Sequence, residues 1–329
     1  MVSRMSWEDD RRVRDFRDCA AGPDGVRMKA GGPVAGGVVG RQPEVGMEKA
    51  ILVGVDGSAE ALDAVAWAAD EAARRHCRLL VVNAYVMPRA EAAFGWSPEA
   101  IKEDAASVIR AARERAQEVA PGLAVDDAVI VDSPVSALLR KARDAAMVVV
   151  GLRGRGGFPG LRIGSVSYRL AAHSPVPTVV VPGVVPLGDT EVVVGVSGDH
   201  RAAPVLAEAF AAAAASSKRL RAVRAWSEPI LPSPEMRPLL YDPDEVRGSH
   251  ARELAEALRP WEERYPDVTV VRDVVEGQPS VVLAEAGRAA RLIVVGARGG
   301  RGITRLALGG AAHGLLHNAS RPVMVVPVQ

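Results

Sequence analysis

Residues 148–165 read V-V-V-G-L-R-G-R-G-G-F-P-G-L-R-I-G-S, and residues 293–310 read I-V-V-G-A-R-G-G-R-G-I-T-R-L-A-L-G-G. Both stretches keep one glycine frame: Gly151, Gly154 and Gly164 recur as Gly296, Gly299 and Gly309. An apolar run that breaks into glycine and arginine suits a buried strand feeding a phosphate-cradling loop. Its repetition implies two copies of one α/β unit within the chain.

The surrounding pattern agrees with that reading. Upstream of the first loop, short apolar runs at 50–56, 79–85, 124–131 and 146–150 alternate with helical periodicity ending near His76 and at 98–119 and 134–144. Downstream, a helix at 165–173 and a strand at 177–181 complete a βα repeat. The runs are too short and too apolar for a sheet with one wet face, so helices should cover both faces of a parallel sheet. The second copy follows the same order: strands at 191–196, 220–225, 268–275, 290–295 and 323–328, and helices at 204–216, 248–265 and 279–288. Residues 226–244, with five prolines, read as an extended surface loop. The short link at 182–188 holds two prolines, which favours packed rather than wandering halves. The boundaries expected are 47–184 for the first domain and 189–329 for the second. Residues 1–46 are rich in charge and then glycine and read as a disordered extension, with a short helix near 7–16 as an option and Met47 as an alternative start.

Composition narrows the classes. Of 329 residues, 48% are apolar and 25% charged, as in soluble globular proteins, and the length suits two cores. A net charge of +1 supplies no long-range pull toward nucleic acid or an anionic membrane. Two cysteines, Cys19 and Cys77, exclude a disulfide framework and suit a reducing, cytoplasmic setting. There is no eighteen-residue apolar run and no secretory leader pattern.

The residues able to carry chemistry gather around the first glycine loop. Gly151 and Gly154 allow close backbone approach, and Gly164-Ser165 stands at a helix start whose free N–H groups and dipole favour a phosphate. Ser165 could donate a further bond or simply cap the helix. Arg153 and Arg155 could pair with phosphates or face solvent, and Arg162 has a weaker case. Asp56 lies at the carboxyl end of the first strand, the edge where open parallel sheets bind ligands. It could accept from a ribose, hold a magnesium ion, or only form the Asp-Gly turn. His173 reads as a helix-end group, and Trp67 and Trp96 as packing. There is no P-loop, no G-x-G-x-x-G after the first strand, no G-x-S-x-G elbow and no metal-spaced histidine–cysteine cluster.

The spacing Gly151-x2-Gly154-x9-Gly164-Ser165, with 51–56 as an opening strand, resembles the ATP-binding universal stress protein pattern. The likeness spans about 47–182 and again 189–329, with Pro-Thr-Val-Val-Val and Pro-Val-Met-Val-Val endings. It implies two similar open parallel-sheet sandwiches of the adenine-nucleotide, Rossmann-like class, each with five strands. It also implies ATP, with or without Mg, held by Asp56, Gly151, Gly154, Gly164 and Ser165, and backbone around Val82 and Val129 near the base. The last strands resemble the segments by which such domains pair, here within the chain, with association of two chains as a further step.

The halves differ. Ser197 stands where the first copy has Asp56, and Gly309-Gly310 where it has Gly164-Ser165, so the second site (Ser197, Gly296, Gly299, Gly309, Gly310) reads as degenerate. Two lost bonds at roughly 1.5 kcal/mol each make about 3 kcal/mol, on the order of a hundredfold in affinity. Arg298, Arg301 and Arg305 keep the second loop basic. The first copy departs at Asp132-Ser133-Pro134, where the second has the family's Glu276-Gly277-Gln278-Pro279. The leading expectation is a nucleotide-responsive regulatory module acting on a protein partner. A weak ATPase or adenylate-handling enzyme and a non-binding pairing module are the alternatives.

Overall fold

The computed structural model describes residues 49–87, 97–156, 162–183, 191–199, 201–227, 242–297 and 308–328. The expected N-terminal extension, Met47, Cys19, Trp96, Arg298, Gly299, Arg301 and Arg305 lie outside the described residues.

Lobe one runs β1 (Ile51–Val55), α1 (Ala59–Arg74), β2 (Leu79–Tyr85), α2 (Pro98–Val119), β3 (Val125–Val131), α3 (Pro134–Ala142), β4 (Met147–Gly151), α4 (Ser165–His173) and β5 (Thr178–Val181). Lobe two repeats the order: β6 (Glu191–Gly195), α5 (Ala202–Ser216), β7 (Arg219–Trp226), α6 (Pro243–Arg264), β8 (Val270–Glu276), α7 (Pro279–Ala286), β9 (Ala290–Gly296), α8 (Gly310–Asn318) and β10 (Val323–Val326). The tandem α/β architecture expected from the repeat is present.

The two sheets are continuous. Ten strands run in the order β3-β2-β1-β4-β5-β10-β9-β6-β7-β8. Neighbours are parallel throughout except at the seam, where β5 and β10 pair antiparallel with Val180 opposite Val323 and Thr178 opposite Val325. Four-residue strands suffice there because every residue of both is buried, so the seam is core on both faces. The period-2 alternation sends Ile51, Val53 and Val55 into one core with Trp67, Phe210 and Met324. Leu52 goes into the other with Leu138, Leu170 and Ile293.

Three helix starts in lobe two differ from expectation. Helix α6 opens at Pro243 rather than near 248, because proline is tolerated at the first helical position and Asp242 caps the turn by accepting from the Asp244 and Glu245 amides. Helix α5 opens at Ala202, two residues early. Helix α8, which sequence reading left unassigned, starts without a side-chain cap and is held by buried Ala312, Leu315 and Leu316.

Between the lobes lies a buried ion-pair network. Arg291 of β9 donates to Asp70 at 2.6 Å and to Glu71, both on α1. Arg75 pairs with Glu71 at 2.7 Å and reaches Glu208 of α5 at 3.5 Å. Burial alone would lower the Arg291 pKa, but Glu71 and Asp70 outweigh it and raise the value. The Arg291 guanidinium also lies 5.7 Å from the centre of the buried Trp67 ring.

Candidate functional site

A cleft of ≈ 460 Å³ opens at the carboxyl edge of lobe one. Its walls are apolar: Val82, Leu138, Val150 and Ile163, with Ala61, Ala84 and Pro134 beside them. Glycine makes the space. A Cβ on Gly54 would lie 2.9 Å from Leu138, and one on Gly151 would lie 2.7 Å from the Glu60 carbonyl, so α1 and α3 both close in on bare backbone.

The polar end is built by two turns that meet. After β1 the chain turns at Asp56-Gly57-Ser58, where Gly57 takes φ +81°. Asp56 Oδ1 accepts from the Ser58 amide at 3.0 Å and the Ser58 hydroxyl at 2.6 Å, and Ser58 in turn caps α1. Asp56 Oδ2 accepts from the Arg155 amide at 2.8 Å, so the carboxylate pins the glycine loop to the sheet edge. Gly154 is required at that contact: its Cβ would lie 2.1 Å from Asp56 Oδ2.

Helix α4 supplies the donors. Its N-cap is Gly164, which makes no side-chain cap bond and whose own N–H donates to Leu152 O at 2.8 Å. The first intrahelical bond runs from Tyr168 N–H to Gly164 O. The amides of Ser165, Val166 and Ser167 therefore have no partner among the described residues, and all three residues line the cleft. The Ser167 side chain is buried and donates to Gly151 O at 2.7 Å, tying α4 to the end of β4. Sequence reading missed Ser167. Its signal was a hydroxyl on the third residue of a helix whose first turn faces a glycine.

The expected residues divide. Asp56, Val82, Gly151, Arg153, Gly154, Gly164 and Ser165 line the cleft. Ser165 is the first helical residue rather than the cap, so its exposed hydroxyl is not consumed in capping. Val129 does not line it: β3 is the outermost strand and Val129 is exposed there. The Arg155 side chain turns away to Asp104 of α2 at 2.9 Å, leaving only its amide at the loop. Arg162 leaves as well, donating to the His317 carbonyl of α8 at 3.2 Å. His173 ends α4 and is exposed, and Trp67 is core. For magnesium, Asp56 is the one carboxylate among the lining residues, and no group of three or more metal-ligating side chains occurs among the described residues. An ion there would depend mainly on phosphate oxygens.

Lobe two keeps the scaffold and changes the fittings. Gly195 meets Leu283 as Gly54 meets Leu138, and Gly309 N–H donates to Ala297 O at 2.8 Å as Gly164 does to Leu152. The turn after β6 is Ser197-Gly198-Asp199, the first lobe's residues in exchanged order. The carboxylate is thus not missing but displaced: Asp199 accepts from the Ser197 hydroxyl at 3.0 Å and pairs with Arg201 at 2.9 Å. Gly198 carries a guanidinium from another source. Arg224 follows Val223 of β7 as Asn83 follows Val82 of β2. A Cβ on Gly198 would lie 2.3 Å from Arg224 Nη2, just as one on Gly57 would lie 2.3 Å from Arg155 Nη2. Arg224 is buried, donates to His250 Nδ1 at 3.1 Å, and pairs with Glu253. Counted from Pro98 and Pro243, His250 and Glu253 stand where lobe one has Ala105 and Val108. Ser165 and Ser167 become Gly310 and Ala312.

The sequence profile of the universal stress protein family matches residues 47–182 and 190–327. A universal stress protein of Mycobacterium tuberculosis is 34% identical over 288 residues, covering 84% of this chain and 96% of its own length. One of Mycolicibacterium smegmatis is 32% identical over 289 residues, covering 85% and 97%. Among solved structures, a universal stress protein of Archaeoglobus fulgidus superposes with a TM-score of 0.59 at 18% identity over 85% of this chain and 96% of that one, a likeness of fold. Among the described residues, no helix is long and apolar enough to cross a membrane.

Proposed function

The chain belongs to the universal stress protein family, and on that premise we propose that lobe one binds ATP while lobe two binds it weakly or not at all. The observation that carries the proposal is the cleft itself: apolar walls suited to a base, ending at three amides on the start of α4 that have no partner among the described residues. Backbone donors at a helix N-terminus suit phosphate oxygens, and Arg153 adds a charge at the same end. Asp56, already holding the Arg155 amide and Ser58, positions the loop, and this cleft-lining carboxylate keeps one acceptor site for a ribose hydroxyl or, with phosphates, a magnesium ion. Nucleotide bound across Gly154 and Ser165 would tie the glycine loop to α4 and change the surface offered to a protein partner, the basis of a regulatory role.

Calorimetric titration of the full chain with ATP tests this. Binding to lobe one is expected, and Gly154→Val, which drives a side chain into Asp56, is expected to weaken it up to about a hundredfold, since overpacking costs about 1–3 kcal/mol. Equal affinity in that variant, with circular dichroism unchanged, would reject the assignment.

A further inference from the structure

Away from the cleft, α8 carries a pair of imidazoles that neither lobe's nucleotide chemistry uses. His313 and His317 stand one turn apart, so they share a helix face. Their ring centroids are 4.6 Å apart with planes tilted 46°. His313 is exposed and His317 half-buried. Tyr168 of α4 packs edge-on against His313 with centroids 5.9 Å apart, and Arg162 donates to the His317 backbone carbonyl, so lobe one touches both residues.

We propose that His313 and His317 chelate a divalent transition-metal ion of the copper(II) or nickel(II) class, with water completing the coordination. The ring spacing suits that class. A ring nitrogen bound at about 2.0–2.1 Å places its ring centroid roughly 3.2 Å from the metal. With one nitrogen of each ring turned to a shared ion, centroids 4.6 Å apart would subtend roughly 90° there. That is the angle between neighbouring ligands of a tetragonal site, whereas a tetrahedral zinc site would need centroids roughly 5.2 Å apart. Imidazole binds metal in its neutral form, and burial, then His313, then Arg162, lower the His317 pKa and favour that form. The nearby Arg162 charge opposes a cation and limits the affinity. Lobe one offers no second copy, because Tyr168 and Ala172 occupy the corresponding positions of α4.

The test is titration of the full chain with CuCl₂ and ZnCl₂ at pH 7.5, with electron paramagnetic resonance of the copper form. One equivalent of copper should bind more tightly than zinc, with a tetragonal spectrum split by two nitrogens. His313→Gln and His317→Gln should each weaken binding at least tenfold while leaving the circular dichroism unchanged. Copper binding of unchanged affinity in the double variant, or a copper spectrum lacking nitrogen splitting, would overturn the proposal and leave the pair as a ring contact at the lobe seam.

Discussion

In lobe one the turn after the first strand reads Asp56-Gly57-Ser58, and in lobe two it reads Ser197-Gly198-Asp199. The exchange keeps both groups and redirects the carboxylate. Asp56 reaches across to the Arg155 amide of the glycine loop, whereas Asp199 turns back to Arg201 at the start of α5. The guanidinium that covers the turn's glycine changes source in the same way, from the exposed loop residue Arg155 to the buried strand residue Arg224. One lobe thus directs its polar groups to the loop that borders the cleft, and the other to its own framework. The lobes also differ at their contact. Asp70, Glu71 and Arg291 form a buried network on one side, while the corresponding positions on the other are Ala211, Ala212 and Ala146.

The largest effect is expected where that second difference is broken. Arg291→Ala removes one of the two guanidinium groups paired with the buried Glu71 and should cost up to about 3 kcal/mol, below the full cost of an unpaired charge because Arg75 still holds the carboxylate, read from urea unfolding. Replacing the pair together, as Arg291→Met with Glu71→Leu, should recover only part of the loss, because Arg75 then keeps Glu208 alone at 3.5 Å; full recovery would show that the rest of the network adds no stability. Next is a transplant: Ser197→Asp, Asp199→Ser and Arg224→Asn give lobe two the first lobe's turn. A second ATP-binding event should become measurable, about tenfold weaker than the first because Gly310 and Ala312 still lack hydroxyls, roughly 1.4 kcal/mol. Smaller again is the hydroxyl that ties α4 to β4. Ser167→Ala removes a buried bond and should cost about 1 kcal/mol, while Gly310→Ser in lobe two should leave stability unchanged, since the first helical residue faces outward.

Most of the framework was legible in the sequence because apolar runs at strand spacing and glycines in a fixed frame report directly on a parallel sheet. The asymmetry at Asp56/Ser197 was legible too, but its meaning was incomplete. The eye reads a lost carboxylate at one position and does not see the same group two residues on. Arg224, His250 and Glu253 were invisible as a set because they come together only when β7 lies against α6. Arg155 read as a phosphate ligand because it sits beside Gly154, but its side chain takes the nearer partner, Asp104. The start of α6 was hidden by prolines that mark a loop from outside and a first helical turn from inside.

The smallest expected effect is in pH. His317 titrates below its ordinary value of about 6.5. The unfolded chain therefore takes up that proton first as pH falls. Stability contributed by neutral His317 is full above pH 6.5 and declines as pH drops through that value toward the lower folded one. His317→Asn should flatten a shallow slope in unfolding midpoint over this window, with the rest of the profile unchanged.

The difference between the lobes is tested most directly by the stoichiometry of ATP binding. Equilibrium dialysis of the intact chain against labelled ATP should give one nucleotide per chain, with an affinity lowered up to about a hundredfold by Gly154→Val. Two equivalent sites, or one site of unchanged affinity in that variant, would contradict it.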